Sequence, residues 1–152
     1  MNDRLLGLLA CLLAFPWSAV AADCGRGTLV GAVTHVRDGD TIEVGGLAIR
    51  LQGLAAPEGD EPGGAEASEA MSSLVLGREL RCELDGGRTH DRCVGVCYLD
   101  GADIAVTMVR QGLARDCQRF SGGRYAEAER RATAEGSTIG RTYRLPGYCQ
   151  RR

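Results

Sequence analysis

The sequence predicts an α+β domain, a five-stranded OB-type Greek-key barrel with three packed helices. Two observations carry this reading. Short runs with strand or helix character fall in the order three strands, one helix, two strands, two helices, which is the layout of that small barrel. Glycine-bearing turns and loops punctuate the chain between these runs.

Gly31 to Val36 alternates enough to form a first strand. Thr41-Ile42-Glu43-Val44 and Leu47-Ala48-Ile49-Arg50-Leu51 flank Gly45-Gly46, so they read as a hairpin around a tight turn. Gly59 to Gly64 is a loop by composition. Ala67, Met71, Leu74 and Val75 recur at helical spacing, which predicts a helix from Ala65 to Leu76, closed by Gly77. Leu80 to Leu84 and Val94 to Leu99 read as two more strands joined around Asp85-Gly86-Gly87. Asp103 can cap a helix running to Gly112. A last helix is expected from Tyr125 to Glu135, stopped by Gly136, and Arg141 to Arg152 reads as an irregular tail.

Residues 1–22 have the form of a signal peptide: a short polar start, an apolar run from Leu5 to Phe15, and the small-x-small triplet Ala19-Val20-Ala21. The run is too short to span a membrane, so no membrane association is expected after cleavage. Residues 23–152 then form one domain with a real core. Six cysteines remain in it, an even set that reads as disulfides in an exported chain. Cys117 is expected to pair with Cys149. Cys93 and Cys97 are too far apart along an extended strand to pair with each other, so their partners come from Cys24 and Cys82. Zinc is disfavoured, because the cysteine and histidine spacings match no zinc site.

The charge is unevenly spread. Ala22 to Val109 holds 7 arginines against 15 acids, whereas Arg110 to Arg152 holds 10 against 4. Lysine is absent, so apart from two histidines every basic side chain is a forked donor suited to phosphate. A basic C-terminal third could draw in a polyanion, with Arg119 and Arg124 as candidate nucleic-acid contacts.

The chemistry concentrates in Asp38-Gly39-Asp40-Thr41, Arg50-Leu51 and Ala56-Pro57-Glu58. Phosphodiester hydrolysis needs such groups: carboxylates for a divalent metal, an arginine for phosphate oxygens, and a carboxylate to manage the attacking water. The predicted hairpin brings Asp40 and Arg50 to one end of two strands.

These residues resemble the thermonuclease (staphylococcal nuclease-like) family. The resemblance rests on Val36-Arg37-Asp38-Gly39-Asp40-Thr41, Arg50-Leu51, Pro57-Glu58, Asp91-Arg92, Asp100-Gly101, and Met108-Val109-Arg110-Gln111-Gly112-Leu113-Ala114, with Tyr125 and the helix after it. It implies an OB-type barrel that cleaves DNA and RNA with calcium. By the same resemblance Asp40 is a calcium ligand, Arg50 and Arg92 are catalytic arginines, and Glu58 positions or activates the water. Arg88 is the alternative to Arg92. The chain departs from the family at Ala55, where a ligand aspartate is usual. The family's two nucleotide-contacting tyrosines fall on Gln118 and Phe120, and its late tryptophan near Gly140.

The expected function is an exported, secreted or periplasmic, monomeric nuclease acting on DNA or RNA with weakened Ca2+ binding. Ala55→Asp is expected to strengthen metal binding and rate. The rival reading is a catalytically inactive OB-fold module that binds nucleic acid or another anionic ligand.

Overall fold

The computed structural model describes residues 24–150, so the expected signal segment lies outside the described residues. The strands are β1 (Gly27–Asp38), β2 (Thr41–Val44), β3 (Leu47–Leu51), β4 (Leu54–Ala55), β5 (Glu79–Thr89), β6 (Arg92–Leu99), β7 (Ala102–Asp103) and β8 (Arg115–Asp116). β3, β2, β1, β5 and β6 pair in that order, and β3 pairs again with β6 in parallel. Those five strands therefore close on themselves as the expected barrel. β7 extends β6 at its edge, and β4 and β8 form a separate two-stranded ladder.

The predicted hairpin is present. β2 and β3 pair from Thr41 opposite Arg50 to Val44 opposite Leu47, and Gly45 and Gly46 take the positive φ angles of 56° and 85° that a tight connection requires. Ile42, Val44, Ile49 and Leu51 turn inward and are almost fully buried. α1 (Gly64–Val75) lays Ala67, Met71 and Val75 onto the same core, at the spacing the sequence showed. Burying each large apolar side chain contributes about 1.5–3 kcal/mol, so this shared core dominates the domain's stability.

The remaining helices are α2 (Ile104–Arg110), α3 (Gln118–Ser121), α4 (Ala126–Ala134) and α5 (Ile139–Thr142). Asp103 caps α2 as expected, its carboxylate accepting the Ala105 N–H at 2.9 Å. Three helices were expected; α3 and α5 are single turns of four residues, too short to leave a periodic pattern. Tyr125 stands at the start of α4, fully buried, and its hydroxyl donates to the Gln52 carbonyl at 3.1 Å. It fastens the helical layer to the barrel.

One expected turn is corrected. Asp85-Gly86-Gly87 does not end a strand. β5 continues through it as an irregularity in the ladder, where the Asp85 carboxylate accepts the Gly87 N–H and Gly86 takes a φ of 85°. The chain reverses instead around His90-Asp91, with Thr89 opposite Arg92 and His90 at a φ of 54°. A glycine pair signals a positive φ, and a bulge uses that freedom as readily as a turn does.

The six cysteines of the described chain form Cys24–Cys93, Cys82–Cys97 and Cys117–Cys149, with Cα separations of 5.1, 4.0 and 4.6 Å. The Cys117–Cys149 pairing and the separate partners of Cys93 and Cys97 match expectation, and every cysteine among the described residues is in a disulfide. Three disulfides also fit an exported chain.

Gly39 explains the form of the Asp-Gly-Asp run. A Cβ there would lie 2.6 Å from the Ala56 Cβ and 2.8 Å from the Ala67 Cβ, so β4's exit and α1 close directly onto this turn. Gly39→Ala is expected to destabilise the fold by about 1–3 kcal/mol through overpacking. Urea denaturation checks this, and an unchanged midpoint would show that the turn relaxes freely.

Candidate active site

Asp40 lies in the turn between β1 and β2 and is only 2% exposed. Its backbone N–H donates to the Asp38 carboxylate at 2.9 Å, which shapes the turn. Its own carboxylate is heavily engaged. Arg50 Nη1 and Thr41 Oγ1 both donate to Oδ1, and the Ala56 N–H donates to Oδ2 at 3.1 Å. Burial pushes this carboxyl up to about 7; Arg50 pulls against that, while Asp38 adds to it.

Arg50 is held by its strand position. β3 places it opposite Thr41 on one side and Val94 on the other. One end of the guanidinium meets Asp40, and Nη2 donates to the Leu54 carbonyl at 3.2 Å. Arg92 opens β6, and its Nη1 donates to Thr41 Oγ1 at 3.2 Å. Its Nε is buried without a hydrogen-bond partner. Thr41 thus links the two arginines: it accepts from Arg92 and donates to Asp40, which holds Arg50.

Glu58 follows the buried Pro57 and is exposed. Its position is set by the loop rather than by a regular element. The Glu61 N–H donates to the Glu58 carbonyl at 2.9 Å, and the Glu58 N–H donates to the Glu61 carboxylate at 2.8 Å. Gly64 permits this closure, since a Cβ there would fall 1.7 Å from the Glu58 carbonyl oxygen.

Arg50, Glu58, Arg88 and Arg92 line one cleft of about 740 Å3, which is closed on another side by Phe120 and Tyr148. Three forked cations and one exposed carboxylate on a shared concavity can grip phosphate oxygens and accept a proton from water. The other expected contacts separate. Arg119 sits beside the cleft, its guanidinium 5.6 Å from the Phe120 ring centre. Arg124 is not part of the cleft wall and lies 3.6 Å from the Asp103 carboxylate. Much of the basic excess is consumed in the same way: Arg110, Arg115, Arg130 and Arg131 all pair with glutamates.

The donor set does not suit calcium. That ion takes about six to eight oxygens, usually with several carboxylates. Asp40 is the carboxylate at the base of the site, and it is already bound to Arg50, Thr41 and the Ala56 N–H. Ala55 adds only a methyl group, 1% exposed and packed with Cys117, Ile139, Tyr143 and Cys149. Among the described residues no three acidic, histidine or cysteine side chains converge on a metal position.

Sequence reasoning missed Thr41 as a link, because a threonine in a strand carries no signal of its own. It also missed Tyr148, whose only hint was the neighbouring Cys149.

Comparison with known proteins agrees with this geometry. The model of the staphylococcal nuclease homologue family matches residues 48–139. The chain is similar to the succinoglycan biosynthesis protein ExoI of Rhizobium meliloti (strain 1021), with 33% identity covering 92% of this chain and 77% of that protein. It is similar to an uncharacterized endonuclease of Haemophilus influenzae, at 28% identity over 90% of this chain and 78% of the relative. A further uncharacterized endonuclease, from Escherichia coli O157:H7, is 34% identical over 68% of this chain and 67% of its own length.

Proposed function

Because the chain belongs to the staphylococcal nuclease homologue family and is a nuclease acting on phosphodiesters, we propose an exported enzyme that cleaves DNA or RNA with two arginines and one glutamate. The observation that carries this is the shared cleft of Arg50, Arg92 and Glu58. The phosphate sits between the guanidiniums. A water attacks phosphorus in line while Glu58 takes its proton. A new P–O bond forms, the ester P–O bond breaks, and the leaving oxygen takes a proton from solvent. The arginines hold the negative charge that grows on the phosphate oxygens. The three disulfides support export, and no helix among the described residues is long and apolar enough to cross a membrane.

Calcium contributes little in this reading, because Asp40 is already bound to an arginine and Ala55 offers no oxygen from its side chain. The test is plasmid and RNA degradation by the oxidised protein, with calcium and with a chelator. Slow cleavage in both is expected, with at most modest stimulation by calcium, and Glu58→Gln should remove it. Strict calcium dependence at micromolar concentration would show that other ligands complete the site. No cleavage under any condition would favour a module that only binds anions.

A further inference from the structure

Two of the largest exposed apolar side chains sit together at the cleft. Phe120 is 50% exposed and Tyr148 is 53% exposed. Single exposed apolar residues are ordinary on a protein surface. Here the two rings touch, with centroids 6.3 Å apart at an interplanar angle of 58°, and both line the concavity that holds Arg50, Glu58 and Arg92. The Arg119 guanidinium stands over the Phe120 ring, 5.6 Å from its centre.

The two rings come from unrelated parts of the chain. Phe120 lies on α3, directly after Cys117. Tyr148 lies in a 3-10 turn, Gly147–Cys149, of the irregular tail. The fixed point of that turn is Cys149, 2% exposed and bonded to Cys117, itself 2% exposed. The bond sets the tail turn against α3 and so sets Tyr148 beside Phe120. The family match ends at residue 139, so Tyr148 belongs to a part of the chain outside the matched region.

An aromatic wall beside a pair of phosphate-binding arginines has the composition of a single-stranded nucleic-acid site. Bases stack on the rings while cations track the backbone, and stacking tolerates any base. We propose that Tyr148 adds a second nucleobase-stacking ring to this cleft, beside Phe120, whose position the family resemblance already gives a nucleotide contact, and that the Cys117–Cys149 bond is what holds Tyr148 in place. The inference rests on the nuclease reading. The rings are tilted rather than parallel, so a base packs against the exposed face of one ring instead of being sandwiched between both. The neighbouring nucleotide's phosphate then falls toward the arginines.

The experiment measures binding separately from cleavage. A fluorescently labelled, cleavage-resistant phosphorothioate oligothymidylate is titrated with the oxidised protein and followed by anisotropy. A second probe of the same length and charge carries abasic sugars. The parent should prefer the probe with bases. Tyr148→Ala should weaken binding of that probe on the order of tenfold and leave the abasic probe unchanged. Tyr148→Phe should restore parental binding, because the ring and not the hydroxyl does the stacking. The double variant Cys117→Ser/Cys149→Ser should lose the same base-dependent part. Tyr148 is exposed, so its substitution tests the idea even where the cysteine variant fails to fold. A parent that binds and cuts, with Tyr148→Ala unchanged on both probes, overturns this inference alone. A folded double variant with parental preference overturns the role of the disulfide. A parent that binds neither probe overturns the nuclease reading along with it.

Discussion

Replacing Arg50 by alanine should lower kcat on an oligonucleotide by about 10²–10³-fold, the usual cost of removing one preorganised donor from a charge-stabilising site. The same change should also weaken the fold. Arg50 is the cation facing the buried Asp40, and removing one partner of a buried ion pair typically costs about 3–5 kcal/mol. The two effects can be separated. Arg92 contacts Thr41 but forms no ion pair of 4 Å or less among the described residues, so Arg92→Ala should lower kcat with a much smaller loss of stability. Arg50→Ala combined with Asp40→Asn should recover stability without recovering rate, since the stranded charge is gone while the phosphate donor is still missing. Arg50→Lys keeps the charge but loses the fork that spans Asp40 and the Leu54 carbonyl, so it should fall between parent and alanine. Steady-state rates and urea midpoints on the four proteins decide this. Activity of Arg50→Ala within threefold of the parent would remove Arg50 from the reaction.

Ala55→Asp should destabilise the protein by about 3 kcal/mol, a fall in Tm of roughly 10 °C for a domain of this size. From the sequence alone, that substitution looks like a repair of the metal site. The surroundings of Ala55 argue for the opposite result. Ala55 pairs through its backbone with Arg115, and its methyl packs in the small apolar cluster of Cys117, Ile139, Tyr143 and Cys149 behind the cleft. A carboxylate there loses its hydration among apolar neighbours. It also stands next to Ala56, whose N–H serves Asp40. Calorimetry with and without calcium checks the result. A variant that calcium stabilises, with a faster rate, would place the new carboxylate in the cleft instead.

The parts of this fold that were legible are those with a local cause. The β2–β3 hairpin could be read because Gly45-Gly46 permits the required positive φ and its flanks are strongly apolar. The core face of α1 could be read because Ala67, Met71 and Val75 repeat at helical spacing. Asp40, Arg50, Glu58 and Arg92 could be picked out because their order resembles a family pattern. What stayed hidden depended on distant neighbours. The Asp85-Gly86-Gly87 run could be a turn or a bulge, and only the partner strand decides. Ala55 looked like a missing ligand because its surroundings come from residues about 60 to 95 positions later. Arg124 looked like a free phosphate contact, but Asp103 lies beside it in the fold. Tyr148 acquires a role only once a disulfide carries it across to α3.

The barrel is closed by a parallel pairing between β3 and β6, and the two clamp arginines stand on either side of that seam. Strands so far apart in the chain meet late in folding, because a long loop must be closed before their contacts form. Cys93, the neighbour of Arg92, is in turn bonded to Cys24 at the start of the described chain. Until β3 and β6 have paired, each arginine stands on a separate strand, and the pocket in which both can grip one phosphate is not assembled.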